Sequence, residues 1–356
     1  MARHCIYSGV LLMTEEGMWS RIQTLPLQAC LACGSISFEP TADTFDFRAI
    51  LERWERETGV TFSKTVWEQY ISCQAKQVTL YHCNECGFGL FQPVIVGSQE
   101  FYADIAAADR YYLSKKWEFV QAIRDLKKYR IRKVLDVGCG SGYFLDLLRD
   151  SRLEIESAGY EFNPQVANLA RDKGHNVYYG TFPENILTTT GNGYFDAVCT
   201  FQILEHLSDP ISFIRDVTRL LDSNGILIVG VPDAKGPVRY FSSALTDIPP
   251  HHVSRWCESV FRLGITRLGF RVVRKAHEPL PNYLWPSYLP VVLEKDILPG
   301  AIWKFLNRIG FIQRLIQGLT RLGINWLWGI RGHTLYVVLK RDKNIKNQWS
   351  ANKTSE

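Results

Sequence analysis

VLDVGCGSG, residues 134–142, is the stretch of the sequence that decides the fold. Its first four residues predict a short buried strand, and its three alternating glycines predict a turn directly after that strand. Phe144, Leu147 and Leu148 then follow helical spacing. A strand, a glycine-rich turn and a helix form a nucleotide-binding unit, because the glycines let a ligand approach the backbone and the helix N-terminus offers free N–H groups.

The acids near this turn indicate which nucleotide would bind. A dinucleotide fold reads Gly-x-Gly-x-x-Gly around a pyrophosphate, whereas here Asp136 precedes Gly138, Gly140 and Gly142. A carboxylate repels a phosphate and attracts a sulfonium or an amino group. The pattern therefore favours S-adenosylmethionine (SAM) over NAD. Glu161 ends the next predicted strand, where an acid can accept both ribose hydroxyls.

Two Cys-x-x-Cys-Gly motifs lie upstream of this unit. They place Cys30 and Cys33 in one pair and Cys83 and Cys86 in the other. Two thiolates at this spacing can bind one ion, and two such pairs supply the four sulfurs of a tetrahedral zinc site. Such a site is closed to further ligands, so we expect a structural zinc ion. Two unrelated pairs, or a redox-active pair, are the alternatives.

The segment between the two cysteine pairs predicts a helix. In FDFRAILERWERETG, residues 45–59, the apolar side chains of Phe47, Ile50, Leu51 and Trp54 share one helical face. We therefore expect a zinc ribbon that carries a helical insert. The cost of closing so long a loop grows only slowly with its length.

The composition excludes several classes of protein. The chain has 356 residues, a net charge of +5 and 46% hydrophobic residues, which suits a globular protein with a large core. Its basic residues form no run in the body of the chain, which argues against a nucleic-acid partner. Nine cysteines, an odd number, do not suggest a secreted disulfide framework. With no apolar run of the ~18 residues that a membrane span requires and a poor signal peptide, a cytoplasmic location is expected.

Further segments carry a resemblance to a known family. Together with VLDVGCGSG, the segments GYEFNP, YFDAVCTFQILEHLSDP, LLDSNGILIVGVP and PPHHVSRW resemble the class I SAM-dependent methyltransferases. Within that family the chain is similar to bacterial members that carry an N-terminal CxxC…CxxC ribbon and are often linked to the modification of sugars and surface glycans. The resemblance runs from about Cys30 to Arg274 and resumes at HTLYVVLK, residues 333–340.

The resemblance implies an α/β fold. We expect a Rossmann-like, seven-stranded methyltransferase sheet whose last strand is antiparallel, with a small N-terminal zinc-ribbon domain and a helical insertion before the last strand. The predicted strands are 133–137, 157–161, 176–179, 195–200, 225–231, 270–276 and 334–340. The predicted parts of the chain are a poorly ordered N-terminal extension (1–28), the zinc ribbon with its helical insert (29–95), a helical linker or cover (96–129), the methyltransferase domain (130–342) and a polar tail (343–356).

The resemblance also implies the residues that would bind SAM. The turn would meet the methionyl part, the end of the second strand would meet the ribose and adenine, and the segments after the third and fourth strands would complete the site. The implied residues are Asp136, Gly138, Cys139, Gly140, Gly142, Glu161, Phe162, Thr181, Phe182, Thr200, Phe201 and Gln202.

Three histidines are candidate bases. Methyl transfer requires alignment of the reacting groups, and a hydroxyl or ammonium acceptor must also lose a proton. One of His251 and His252, on a loop after the fifth strand, is the preferred base, and His206 after the fourth strand is the third candidate. Each can instead orient or cap its loop. Gln202 stands where some quinone-pathway methyltransferases carry a metal-binding glutamate, so no metal ion is expected beside His206.

The predicted insertion, residues 280–332, is unusual for a minimal methyltransferase. Its part from 301 to 332 carries five basic residues and no acid, and its polar positions recur mostly at helical spacing. A basic amphipathic helix with aromatic residues is typical of binding to a membrane surface. Residues 298–331 therefore predict peripheral contact with the inner face of the membrane. A helical lid on the catalytic domain or on a second subunit is the alternative.

The leading hypothesis is a SAM-dependent methyltransferase whose acceptor is a sugar or glycan precursor, with a lipid-linked precursor as a specific case. One alternative is a methyltransferase of a small metabolite, either a quinone-like phenol or a nucleotide sugar. Another is a catalytically silent adapter with the same fold, against which the intact Asp136, glycine turn and Glu161 argue. The sequence leaves the acceptor atom and the oligomeric state undefined.

Overall fold

A computed structural model describes residues 29–71, 76–107 and 116–342 of the chain. The predicted N-terminal extension, the polar tail and two of the cysteines, Cys5 and Cys73, lie outside the described residues.

The N-terminal part is a small antiparallel sheet covered by helices. Its elements are β1 (Phe38–Asp46), α1 (Phe47–Thr58), α2 (Lys64–Ile71), β2 (Gln77–Cys83), β3 (Gly89–Gln92) and α3 (Gln99–Ala107). Helix α1 is the predicted insert. The Asp46 carboxylate caps it by accepting the Ala49 N–H at 2.8 Å, and Gly59 ends it in a left-handed conformation. The predicted apolar face of α1 is buried in full.

The remaining elements form the core of the fold. In chain order they are α4 (Trp117–Lys128), β4 (Lys133–Val137), α5 (Tyr143–Asp150), β5 (Glu156–Tyr160), α6 (Pro164–Asp172), β6 (Asn176–Tyr178), α7 (Glu184–Thr190), β7 (Phe195–Phe201), α8 (Pro210–Leu220), β8 (Leu221–Pro232), β9 (Ser254–Arg255), β10 (Phe270–Pro281), α9 (Trp285–Val292), α10 (Gly300–Arg308), α11 (Phe311–Arg321) and β11 (Trp326–Arg341).

Seven of these strands form one mixed sheet in the order β10-β11-β8-β7-β4-β5-β6. Strands β4 to β8 pair in parallel, whereas β11 runs antiparallel to both β8 and β10. This confirms the predicted Rossmann-like fold with an antiparallel last strand. The strand order reverses at β4, so the carboxyl ends of β4, β5 and β7 meet at a topological switch point, where ligands bind in such sheets.

The N-terminal sheet continues into the core of the fold. Its strand order is β1-β2-β3-β9, so its last strand comes from the loop after β8. The Phe91 N–H also donates to the Val253 carbonyl at 2.9 Å. Phe88 packs edge-on against Trp256, with ring centroids 5.1 Å apart. The segment VSRW, which sequence reasoning treated as part of a core loop, therefore belongs equally to the N-terminal sheet.

The segment before the last strand is helical only in its middle. Helices α9, α10 and α11 lie between β10 and β11 and bury a separate apolar cluster around Trp285, Leu289 and Trp303. The prediction of helix up to residue 332, with the last strand from residue 334, is wrong at this boundary. Strand β11 already begins at Trp326, because β10 and β11 continue to pair beyond the sheet and so satisfy each other's backbone groups.

Among the described residues, no helix is both long enough and apolar enough to cross a bilayer.

Candidate functional site

The turn after β4 has the geometry that its glycines predict. Gly138, Gly140 and Gly142 have φ values of +78°, +55° and +85°, in the left-handed region that favours glycine. Gly142 lies directly before α5, so the first N–H groups of that helix face the end of the strand. A Cβ atom at Gly142 would lie 3.0 Å from the His175 ring, so this position also has little room for a side chain.

Two buried carboxyl groups lie beside this turn. Asp136 is 2% exposed, and its Oδ1 has no hydrogen-bond partner among the described residues. Glu161 is also 2% exposed, and its oxygens accept the Gly140 N–H at 2.8 Å and the Asn163 N–H at 3.0 Å. Burial raises the pKa of Asp136 to about 8 and that of Glu161 to about 7. Both groups are therefore costly to ionise unless a cation or further donors reach them.

These carboxyl groups fit the groups that SAM would present. The unpartnered Asp136 oxygen suits an ammonium or a sulfonium centre, since either would offset the cost of its buried charge. The Glu161 oxygens accept the Gly140 and Asn163 N–H groups, and a carboxylate oxygen has a second lone pair that can accept a ribose hydroxyl. The donor set therefore matches the predicted cofactor.

Aromatic side chains extend this region beyond Glu161. Phe162 and Phe182 are half-buried, and both contact the Tyr160 ring, with centroids 4.8 and 5.0 Å from it. They offer an apolar surface on which an adenine ring can pack. The predicted neighbour Thr181 is exposed at the same edge.

The three residues predicted to line the floor of the site face in two directions, two toward the ligand side and one toward the core. Thr200 is buried, and its hydroxyl oxygen has no hydrogen-bond partner among the described residues. Gln202 has a φ of +57° and donates to Glu118 at 3.4 Å. Phe201 points away from them and packs against Phe144, with centroids 5.0 Å apart. Alternate residues of a strand face opposite sides of a sheet, so Thr200 and Gln202 can face a ligand while Phe201 fills the core.

Cys139 is also a packing residue in this structure. It is 7% exposed, and a Cβ atom at Gly159 of β5 would lie 2.5 Å from its sulfur. Its side chain therefore fills the space that Gly159 leaves open, and only its backbone borders the turn.

Sequence reasoning missed a group of buried charged residues that interact electrostatically with Lys116, Asp136 among them. Lys116 is 8% exposed, and burial lowers its pKa while Glu118, Glu205, Asp136 and Glu278 act to raise it. Burial raises the pKa of Glu205 and of Glu278 to about 8. Apart from the neighbours Lys116 and Glu118, these residues lie far apart in the chain, so no local pattern could have joined them.

The three candidate histidines form one buried cluster. His206, His251 and His252 are 3%, 1% and 6% exposed, and one ring nitrogen of each lies within 4.8 Å of the others. Burial lowers the pKa of His251 to about 4 and the pKa values of His206 and His252 well below the ordinary value. All three are therefore neutral near pH 7. A neutral imidazole with so low a pKa is a weak proton acceptor but a good metal ligand.

The four predicted zinc ligands also come together. The sulfurs of Cys30 and Cys86 are 3.6 Å apart, and those of Cys33 and Cys83 are 3.5 Å apart. A tetrahedral site with zinc–sulfur bonds of about 2.3 Å has edges of about 3.8 Å, whereas a disulfide bond is about 2.05 Å long. The two motifs turn in the same way, with Gly34 and Gly87 at φ values of +74° and +79°. This geometry fits one zinc ion better than it fits disulfides.

The cysteine cluster is attached to the core through the loop that carries the histidines. Ser259 donates its hydroxyl to the Cys86 carbonyl at 2.7 Å, and the Cys257 sulfur lies 3.7 Å from the same oxygen. Strand β9, which follows His252, pairs with β3 of the N-terminal sheet. The cysteine cluster and the histidine cluster are thus joined by a short piece of chain.

Comparisons with known proteins agree with this geometry. Residues 105–275 match the family model described as a methyltransferase domain. The chain is 28% identical over 128 residues to a ubiquinone biosynthesis O-methyltransferase of a Caulobacter species, covering 35% of this chain and 48% of that protein. It is 30% identical over 141 residues to a probable SAM-dependent methyltransferase of Mycolicibacterium smegmatis, covering 40% of this chain and 52% of the relative.

Among solved structures, the chain is similar to a SAM-dependent methyltransferase from Archaeoglobus fulgidus. The two are 20% identical, and the match covers 63% of this chain and 94% of the other, with a TM-score of 0.41. The chain spans about half the length of the curated relatives it matches. The matched region is similar to a methyltransferase domain, and relatives that share it are named as SAM-dependent methyltransferases.

Proposed function

We propose that the protein is a SAM-dependent methyltransferase whose acceptor is a sugar or glycan precursor, in particular a lipid-linked one. The single observation that carries the SAM-dependent part is the buried Asp136 oxygen without a hydrogen-bond partner, directly before the left-handed glycine turn. A ligand that is both cationic and a nucleoside satisfies this oxygen and Glu161 together.

The chain's own residues would act mainly by positioning. When bound, SAM supplies an electrophilic methyl group on a sulfonium. The glycine turn and Asp136 would hold its amino-acid part, and Glu161 would hold the ribose. Burial of these residues excludes water from the donor side. The histidine cluster follows β7 and adjoins β9, so we assign the acceptor to that side of the sheet edge.

The catalytic role of the histidines also belongs to this proposal. Of the pair His251 and His252, we assign His251 to the acceptor side because its ring lies beside the Trp54 ring, with centroids 6.0 Å apart. Helix α1 of the N-terminal sheet thereby supports the acceptor side. We further propose that the cysteine cluster binds a structural zinc ion that stabilises this support.

A methyl-transfer assay tests the function. Protein incubated with isotope-labelled SAM and a bacterial extract is expected to transfer label to a glycan or lipid-linked glycan fraction, identified by mass spectrometry. An Asp136→Ala variant serves as the control and should transfer none. Absence of label from every fraction contradicts the proposed function.

A quinone-like phenol is the second candidate acceptor. Its support is the name of several relatives, which are ubiquinone biosynthesis O-methyltransferases. Label in a small phenolic product, with none in the glycan fraction, would favour this candidate over the first.

The exposed surface of α10 and α11 supports contact with a lipid surface. Apolar side chains that are 43–77% exposed alternate there with exposed basic side chains. The apolar residues are Ile302, Phe305, Ile309, Phe311 and Leu322, and the basic residues are Lys304, Arg308, Arg314 and Arg321. Apolar groups beside cations suit the interface of an anionic membrane. We therefore propose that the protein binds the inner face of the membrane through this surface.

Replacing Phe305 and Phe311 together with serine is expected to lower binding to anionic liposomes by about tenfold or more. Burying one phenylalanine contributes about 1.5–3 kcal/mol, and tenfold in affinity is about 1.4 kcal/mol. Flotation with phosphatidylglycerol vesicles measures the bound fraction. Substitutions, not a deletion, are required because residues 326–331 belong to strand β11.

The control for this experiment replaces Ile36 and Ile71 with serine, since both are exposed apolar residues of the N-terminal part. This control should bind vesicles like the unaltered protein. Equal partitioning of the phenylalanine variant and the unaltered protein would show that this surface does not bind lipid.

A further inference from the structure

We propose that His206, His251 and His252 form a second metal site, which binds a divalent transition-metal ion of the kind that prefers imidazole ligands. This site is separate from the four cysteines. The binding of the ion stands apart from the proposed function, and only its catalytic consequence rests on that function. Neutral imidazoles suit Zn²⁺, Fe²⁺, Co²⁺ and Ni²⁺, and Zn²⁺ is the ion we take as representative.

The first argument is the orientation of the rings. In each histidine the Nδ1 atom lies near an oxygen: the His251 carbonyl at 2.7 Å for His206, the Thr246 carbonyl at 3.1 Å for His251, and the Asp247 carboxylate at 3.3 Å for His252. A carbonyl or carboxylate oxygen can only accept, so Nδ1 carries the proton in each ring. The lone pair of a neutral ring is then on Nε2.

Such partners are typical of metal-binding histidines. A histidine that binds a metal through one nitrogen usually donates the other N–H to a carboxylate or a backbone carbonyl, which fixes the tautomer and the ring. Here all three rings follow that rule. A purely structural cluster would not require the same tautomer three times.

The second argument is the pair of unpartnered polar groups at the cluster. His206 Nε2 and both carboxyl oxygens of Glu205 are buried without a hydrogen-bond partner among the described residues. The nearest Glu205 oxygen lies 4.0 Å from His206 Nε2, which is too long for a hydrogen bond. Leaving such groups buried and unsatisfied is energetically costly. A cation between them satisfies the imidazole lone pair and the carboxylate together.

The compactness of the cluster agrees with a shared ligand. The ring centroids of the three histidines are 4.5, 4.7 and 4.8 Å apart. Bond lengths of about 2.0–2.1 Å from zinc to nitrogen require ring nitrogens that approach one another closely. The Tyr102 hydroxyl lies 2.9 Å from His206 Nδ1 and holds the cluster from the α3 side.

With the three histidines as ligands and the Glu205 carboxylate as a neighbouring counter-charge, a coordination position stays open, as in catalytic zinc sites. In the proposed methyltransferase this position would take the acceptor through a hydroxyl or phenolic oxygen, which the ion would orient and polarise. The site therefore narrows the acceptor to compounds that offer such an oxygen. It also replaces the assignment of His251 or His252 as a proton acceptor with a role as metal ligands.

The test is a count of bound metal in the full-length chain. The protein is stripped of metal by a chelator, reloaded with Zn²⁺ and desalted. Elemental mass spectrometry then gives the number of zinc ions per chain. We expect the unaltered chain to hold two ions and His252→Gln and His206→Gln to hold one. His277→Gln, which changes a histidine outside the cluster, should retain two.

Reloading with Co²⁺ keeps the proposal testable if a variant fails to fold. In the unaltered chain, the cysteine site gives strong sulfur-to-cobalt absorption, and a second equivalent should add a visible cobalt band with no further sulfur absorption. A single ion per chain, or a second ion that both histidine variants retain, would overturn the proposal.

A SAM titration on the same samples separates this inference from the proposed function. An unaltered chain with two ions and no SAM binding would refute the function and leave the metal site standing. An unaltered chain that binds SAM and holds only the cysteine-site ion would refute the metal site alone.

Discussion

Replacing Glu161 with alanine is expected to weaken SAM binding by on the order of a hundredfold or more. Glu161 would accept two ribose hydroxyls, and hydrogen bonds to a charged group contribute about 1.5–3 kcal/mol each, with tenfold in affinity for about 1.4 kcal/mol. The substitution also removes the acceptor of the Gly140 N–H, which the buried carboxylate holds at 2.8 Å. Loss of this contact loosens the glycine turn itself.

Calorimetric titration with SAM measures this effect. The matched control is Glu154→Ala, which removes an exposed carboxylate just before the same strand and should leave the Kd unchanged. Thermal unfolding checks that both variants are folded. If Glu161→Ala binds SAM as tightly as the control, the ribose is held elsewhere.

Replacing Cys83 with serine is expected to abolish turnover almost completely while changing the Kd for SAM by less than about threefold. Loss of one thiolate opens the closed site, and structural zinc stabilises small domains by roughly 10 kcal/mol or more. Strand β3 would then lose its support and release β9, which follows His251 and His252 directly. Asp136 and Glu161 lie in or next to strands of the seven-stranded sheet, whereas β3 pairs within the N-terminal sheet.

Three measurements on one preparation test this separation: metal content, SAM affinity and the rate of methyl transfer. Cys257→Ala is the control, because Cys257 is a buried thiol next to Cys86 that does not belong to the cluster of four sulfurs. The control should keep its metal and at least half of its activity. If SAM affinity falls together with metal content in Cys83→Ser, the N-terminal sheet builds part of the cofactor pocket instead.

Much of the fold was accessible from sequence because its signals are local. The strand β4, the left-handed glycines and the helix α5 all lie within one short stretch. The apolar face of α1 follows from helical spacing alone, and the structure buries the predicted residues. Asp136 and Glu161 were accessible for the same reason, since each stands at the end of a strand next to a recognisable turn.

What sequence could not provide depends on contacts between distant segments. The pairing of β3 with β9 joins residues 89–90 to residues 254–255, and neither segment has a pattern that names its partner. The early start of β11 depends on its pairing with the end of β10. The first residues of β11 are aromatic and basic in composition, and this composition does not indicate a strand. Lys116 interacts electrostatically with Asp136 and Glu278 only in the folded chain.

The histidine cluster shows how residues chosen one by one can receive an incomplete interpretation. His206, His251 and His252 were selected one by one as candidate bases, and Gln202 argued against a metal ion beside His206. Only the folded chain shows that the three rings share one tautomer and one buried space with Glu205. The metal ligands that we propose are three histidines. They therefore differ from the glutamate-containing site that Gln202 argued against.

Calorimetric titration of the unaltered, zinc-loaded protein with SAM tests most directly whether the chain is a methyltransferase. We expect saturable binding of one SAM per chain, carried by the glycine turn, Asp136 and Glu161. The absence of binding would contradict this function and would favour a protein that keeps the fold without the activity.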